Sequence, residues 1–241
     1  MNLAVIFAGG VGKRMNNNSR PKQFLELNGK PIIIYTLELF DAHPQIDGII
    51  VACVEGWIPF LERYIRQFGL TKVVGIVPGG ASGQASIYNG LCEAERYAAG
   101  HEDDTIVLIH DGVRPLINEQ TITDNIAKAR RSGSCITCVH AIETFVVNMP
   151  DGTHSIPARE DSLIARAPQT FRLTDILTAH RKAIGEGHND FIDSCTMMHH
   201  YGYDLTMTIG PSENIKITTP SDFFVFRAMI AAKENEIIFG I

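Results

Sequence analysis

Short unbroken apolar runs alternate along this chain with stretches in which apolar residues recur every three or four positions. Residues 3–7, Leu-Ala-Val-Ile-Phe, form a continuous run ending at Ala8-Gly9-Gly10, the pattern of a strand buried on both faces. Residues 31–40 then place Ile34, Leu37 and Phe40 on one side of a predicted helix, with Pro31 suited to its first turn. The alternation continues with strands at 48–54, 72–77 and 105–109 and helices at 57–68, about 84–98 and near 119–132. Crossover spacing of this kind implies βαβ units: an α/β fold with a doubly wound, mostly parallel sheet and functional loops at the carboxyl ends of its strands.

After residue 132 the pattern changes. Strand-like segments at 135–140 and 144–148 precede Met149-Pro150-Asp151-Gly152-Thr153, and Pro-Asp-Gly is a turn signal. The region from about 142 to 159 reads as a β-arm projecting from the sheet, which cannot bury both faces alone and so points to a partner subunit. Helices near 172–184 and 193–201, a strand at 204–209, the stretch 214–218 and a last helix from 221 to about 235 complete the pattern.

Composition narrows the class. With 241 residues, 45% of them hydrophobic and 20% charged, a single ordered domain is expected. A net charge of −6 argues against a nucleic-acid or anionic-membrane surface, since neither would find its basic footprint. No apolar run reaches a membrane span and no leader pattern opens the chain, so a cytoplasmic protein is expected. Cysteines at 53, 92, 135, 138 and 195 suit a reducing compartment better than a disulfide framework. Cys135 and Cys138 form a C-x-x-C without a second pair, which reads as packed strand residues rather than a zinc site.

The chemistry begins in the first loop, Ala8-Gly9-Gly10-Val11-Gly12-Lys13-Arg14-Met15. Its glycines let backbone N–H groups approach a polyphosphate, and Lys13 and Arg14 add charge. It is not a Walker loop, because Arg14 follows Gly12-Lys13 where Ser or Thr would bind magnesium, and Met15 occupies the third glycine position of G-x-G-x-x-G.

Pro21-Lys22-Gln23-Phe24 and Asn28-Gly29-Lys30-Pro31 follow the loop. Later come Val77-Pro78-Gly79-Gly80, His110-Asp111-Gly112-Val113-Arg114-Pro115, Pro168-Gln169-Thr170-Phe171 and Asn214-Ile215-Lys216-Ile217-Thr218. In this order the motifs resemble the nucleotidyltransferases that activate sugars and polyols, above all the methylerythritol phosphate and ribitol phosphate cytidylyltransferases. The resemblance implies a Rossmann-like sheet of the nucleotide-diphospho-sugar transferase type. It also implies transfer of CMP from CTP to a polyol phosphate, D-ribitol 5-phosphate above methylerythritol phosphate, in a magnesium-dependent homodimer joined through the β-arm.

By the same resemblance Arg14 and Lys22 would neutralise the CTP phosphates and Lys216 would contact the α-phosphate. Ala8, Gly9, Gly79, Gly80 and Ser86 would crowd the pyrimidine, and Gly10, Gly12 and Lys13 would complete the nucleotide loop. Thr144 and Arg159, from the neighbour's arm, would hold the acceptor phosphate, with Asp193 also on the acceptor side. Asp111 has two readings, ion-pair partner of Arg114 or magnesium ligand. Gly83 stands where the family commonly has an arginine, a loss that Gln84 or Lys13 would have to make good. Two rival readings are a nucleotide-binding regulatory protein without catalysis and a hydride-transferring dinucleotide enzyme.

Overall fold

The computed structural model describes residues 1–10 and 20–239. Its strands are β1 (Asn2–Ala8), β2 (Glu26–Leu27), β3 (Lys30–Pro31), β4 (Gly48–Cys53), β5 (Val73–Pro78), β6 (Ile106–Asp111), β7 (Ser134–His140), β8 (Val147–Asn148), β9 (His154–Ser155), β10 (Leu163–Arg172) and β11 (Met207–Ile209). Its helices are α1 (Ile32–Ala42), α2 (Ile58–Gln67), α3 (Gly83–Tyr97), α4 (Glu119–Ser132), α5 (Leu173–Gly185), α6 (Ser194–His200) and α7 (Pro220–Phe239). Seven strands form one sheet in the order β11-β7-β10-β6-β1-β4-β5. All neighbours run parallel except β10, which is antiparallel to both β6 and β7.

Alternation along β1 explains the layering. Ala4, Ile6 and Ala8 pack into a core with α1, α2 and α4, while Leu3 and Val5 point to the other face, against α3, α5 and α6. Cys135 and Cys138 lie three apart on β7 and so enter opposite cores, which keeps their thiols apart. A small third core around Ile32, Val113, Ile217 and Phe226 ties α7 to α1 and to the segment after β6. Gly90 lets α3 lie directly on β1, since a Cβ there would come within 2.6 Å of Val5.

Helix starts carry caps readable in the sequence. The side chains of Ser82, Asn118 and Asp193 accept from the backbone N–H groups of Ala85, Thr121 and Thr196, and Gly133 closes α4 at φ 84°. Other expectations needed correction. Pro31 precedes α1 as its cap rather than sitting in its first turn. The strand expected at 204–209 is confined to Met207–Ile209. β10, ten residues long and central to the sheet, was read only as a motif; its register shifts between Ala165 and Gln169, around a cis Ala167–Pro168 bond.

The arm is present as a hairpin of β8 and β9, closed by the predicted turn through a bond from the Met149 N–H to the Thr153 carbonyl. Its strands are only two residues each, shorter than the pattern suggested. Ile142, Val146 and Ile156 on it are 79%, 61% and 65% exposed.

Candidate active site

The carboxyl ends of β1, β5 and β6 open into two adjoining cavities. The larger, about 550 Å³, is walled by Ala8, Gly9 and Gly10, by Gly80 to Gly83 and Ser86, and by Lys22, Asp111 and Lys216. The smaller, about 280 Å³, is reached past Phe7, Gly83, Asp111 and Lys216, which line both, and continues to Arg114, Arg166, Gln169 and Asp193.

Close backbone approach builds the floor of the larger cleft. A Cβ on Gly9 would fall 2.5 Å from Ser86 Oγ, and one on Gly79 would fall 2.7 Å from Gly9 Cα, so both turns require glycine. The Gly79 N–H donates to the Cys53 carbonyl at 2.6 Å, tying its turn to β4. Ser86 Oγ accepts from the Gly80 N–H at 3.0 Å and donates to the Ser82 carbonyl at 2.9 Å, so the hydroxyl that the resemblance sets against the pyrimidine also holds the Gly79-Gly80 turn. Gln23, which motif reading passed over, is 1% exposed; its Nε2 donates to the carbonyls of Ala8 and Gly10 at 2.6 and 3.1 Å. That amide holds the glycine turn from behind.

Asp111 is the electrostatic centre. Its Oδ1 lies 2.5 Å from Lys216 Nζ and its Oδ2 2.7 Å from Arg114 Nε. Burial pushes its pKa up, but Lys216 and Arg114 outweigh burial and bring it down to about 2. The ion-pair reading of Asp111 is therefore present, with a second cation that spacing along the chain could not suggest. His110 is buried beside it, its Nε2 3.1 Å from the Arg114 carbonyl, and burial holds it neutral with a pKa of about 4.

Lys216 comes from a stretch without regular structure, and side chains far away in sequence hold it. Arg114 Nη1 and Arg166 Nη1 both donate to the Asn214 carbonyl, at 3.0 and 2.8 Å, and Asn214 Nδ2 donates to the Ala167 carbonyl at 2.6 Å. The Ile217 N–H reaches the Val113 carbonyl at 3.0 Å. Arg114 thus organises the loop, bonding Asp111 on one side and the Asn214 carbonyl on the other.

Of the residues singled out in the sequence, Ala8, Gly9, Gly10, Lys22, Gly80, Ser86, Asp111 and Lys216 share the larger cleft, and Gly79 buttresses it. Gly12, Lys13 and Arg14 lie outside the described residues. Asp193 caps α6 and lines the smaller cavity. Thr144 and Arg159 are exposed on the arm, away from both linings. Gln84 cannot replace the missing arginine, because its carboxamide donates to the His188 carbonyl and accepts from the Phe191 N–H, both at 2.9 Å. A Cβ at Gly83 would meet open space, so the position that lines both cavities projects nothing between them. The sequence offered Gln23 and Asn214 only as motif members and Gln84 only as a stand-in for the missing arginine, and it did not single out Arg166; all four act through backbone groups that no local pattern reveals.

A mostly parallel sheet that gathers glycine turns, two lysines and a buried carboxylate around one cleft fits a nucleotidyltransferase. The sequence matches the 2-C-methyl-D-erythritol 4-phosphate cytidylyltransferase family over residues 2–232, and the chain belongs to that family. It is a CTP-dependent cytidylyltransferase. The ribitol-5-phosphate cytidylyltransferases of Streptococcus agalactiae serotype III (strain NEM316) and Vibrio parahaemolyticus serotype O3:K6 (strain RIMD 2210633) are each 50% identical to it, over all of both chains. The 2-C-methyl-D-erythritol 4-phosphate cytidylyltransferase of Geotalea uraniireducens (strain Rf4) is 37% identical over 97% of this chain and 98% of its own. Among solved structures, the 4-diphosphocytidyl-2C-methyl-D-erythritol synthase of Anaerococcus prevotii superposes with a TM-score of 0.80 at 22% identity, covering 95% of this chain and 96% of that one.

Proposed function

We propose that the enzyme transfers CMP from CTP to D-ribitol 5-phosphate, giving CDP-ribitol and pyrophosphate. The observation that carries this reading is end-to-end identity of 50% with relatives named for that acceptor, against 37% with one named for methylerythritol phosphate. Methylerythritol 4-phosphate is the second acceptor to test, because the family match bears its name.

A phosphate oxygen of the acceptor attacks the α-phosphorus of CTP, the bond to the β-phosphate oxygen breaks, and pyrophosphate leaves with the electron pair. Two anions must meet, so the enzyme's task is to place cations and N–H donors where charge builds up. The common lining by Lys22 and Lys216 supports a role for both on the triphosphate, with Lys216 beside the α-phosphate. Asp111 would keep the Lys216 ammonium aimed at the reaction centre. Arg14, Lys13 and Gly12 complete the proposal from the resemblance alone.

Asp111 is the one carboxylate lining the nucleotide cleft among the described residues, and no group of three His, Cys, Asp or Glu among them could cage a metal ion. That donor set fits Mg²⁺, which takes most of its ligands from phosphates and water, and each Asp111 oxygen keeps a second lone pair beyond its cation contact. Asp111 would hold the ion against the triphosphate, where it would neutralise phosphate charge. The exposed apolar residues of the arm support a homodimer in which Thr144 and Arg159 reach the neighbour's acceptor phosphate. No described helix is long and apolar enough to cross a membrane; five free cysteines support the proposed cytoplasmic setting.

The test is pyrophosphate release from CTP and Mg²⁺ with a panel containing ribitol 5-phosphate, methylerythritol 4-phosphate and other polyol phosphates. Turnover highest on ribitol 5-phosphate is expected, and silence with it refutes the assignment.

A further inference from the structure

We infer that Ser194 and His180 bind a hydroxyl near the far end of the acceptor's polyol chain, inside the smaller cavity, and so select acceptors by length; this rests on the polyol-phosphate reading of the site. The cavity joins the nucleotide cleft at Asp111 and Lys216, where the acceptor phosphate has to meet the α-phosphorus. Its cations are grouped together, since Arg114 and Lys216 both bond Asp111, and Arg114 and Arg166 share the Asn214 carbonyl. An acceptor with its phosphate among them sends its polyol chain into the rest of the cavity.

Most polar groups there are already satisfied. Asp193 accepts from the Thr196 N–H and from Gln169 Nε2, and Gln169 Oε1 accepts from the Cys195 N–H. Ser194 and His180 differ. They are 3% and 1% exposed, yet the Ser194 hydroxyl and both ring nitrogens of His180 have no hydrogen-bond partner. Buried polar groups are rarely left unpaired in native folds, so unpaired groups lining a cavity that opens onto a reaction centre mark a place for a ligand.

The chemistry of the pair indicates which end of the acceptor it takes. Burial pulls the His180 pKa down to about 4, so near neutrality the ring is uncharged, with one nitrogen donating and the other accepting. A serine hydroxyl has the same dual character. Such a pair complements an alcohol, which both donates and accepts, and offers nothing of the positive charge that a phosphate requires. His180 is held from one side by stacking on Tyr88, with ring centroids 5.7 Å apart, which fixes the ring plane.

Steady-state kinetics of the full-length enzyme, Ser194→Ala and His180→Phe test this. D-ribitol 5-phosphate serves as acceptor and glycerol 3-phosphate, which lacks the distal hydroxyls, as competitor. Loss of one good hydrogen bond to the acceptor corresponds to about a tenfold rise in KM for ribitol 5-phosphate, with the Ki of glycerol 3-phosphate moving less than about twofold. The thermal midpoint of Ser194→Ala should stay level or rise, because the change removes a buried unpaired hydroxyl. A parallel rise in KM and Ki, an unchanged KM, or a fallen midpoint with an unchanged KM-to-Ki ratio overturns the inference. Silence of the unmodified enzyme with ribitol 5-phosphate overturns the acceptor assignment itself, and this inference with it.

Discussion

Replacing Asp111 with asparagine probes the charge arrangement on which the site is built. The side chain is 7% exposed and touches Lys216 and Arg114 at 2.5 and 2.7 Å. Its pKa falls from the ordinary aspartate value of 3.8 to about 2, because the two cations outweigh burial. At about 1.4 kcal/mol per pK unit, that difference corresponds to about 2 kcal/mol of folding stability. Breaking a fully buried ion pair costs about 3–5 kcal/mol. Lys216, however, is 39% exposed and can turn to water once Asp111 is gone, so the smaller figure applies. The sign follows from the depressed value. A carboxyl group more acidic in the folded than in the unfolded chain stabilises fully above the unfolded pKa, and that stabilisation is lost as pH falls from 3.8 through about 2. Urea denaturation of the nucleotide- and metal-free protein should therefore show Asp111→Asn less stable by about 2 kcal/mol near neutrality, with the gap roughly halved at about pH 3. A gap that does not change with pH, or its absence at neutrality, refutes the reasoning.

Other expectations follow from the same geometry. Lys216→Met should lower turnover by about 10²–10³ while leaving a cooperative urea transition, since a positioned cation at a developing charge is lost; a change under tenfold in pyrophosphate release would count against its role. Gly79→Ala drives a Cβ to within 2.7 Å of the Gly9 backbone, which cannot rotate away. It should cost about 1–3 kcal/mol in urea denaturation and raise KM for CTP. Ile142→Asp puts a charge on the exposed apolar face of the arm and should shift sedimentation toward monomer with folding stability unchanged. Sedimentation identical to that of the unmodified protein would count against the proposed homodimer through the arm.

Single-residue departures from the family pattern acquire meaning only in three dimensions. Gly83 looks like a lost phosphate or base contact in the sequence. In the fold it lines both cavities and leaves the passage between them open. Gln84, the neighbour that might have compensated, is instead the clamp that fixes the segment around His188 and Phe191 against the start of α3. A side chain's identity was readable, but its partner, about a hundred residues away, was not.

Local pattern alone determined a large part of this protein. The unbroken run at 3–7, the caps at Ser82, Asn118 and Asp193 and the Pro-Asp-Gly turn are encoded within a few residues, because strand burial, capping and turn geometry depend on near neighbours. The motifs that carry Lys22, Asp111 and Lys216 are local too, but their meeting in one cleft belongs to the fold, because the three lie far apart in sequence. Tertiary structure alone decided the rest. β10 hid behind Arg166 and Pro168, since a strand interrupted by a charge and a proline is recognisable only once β6 and β7 flank it. The amide of Gln23, the carbonyl of Asn214 and the unpaired groups of Ser194 and His180 have roles set by which distant backbone or empty space they face. Hydrogen bonding is directional and short-ranged, so those roles exist only after the chain has closed around them.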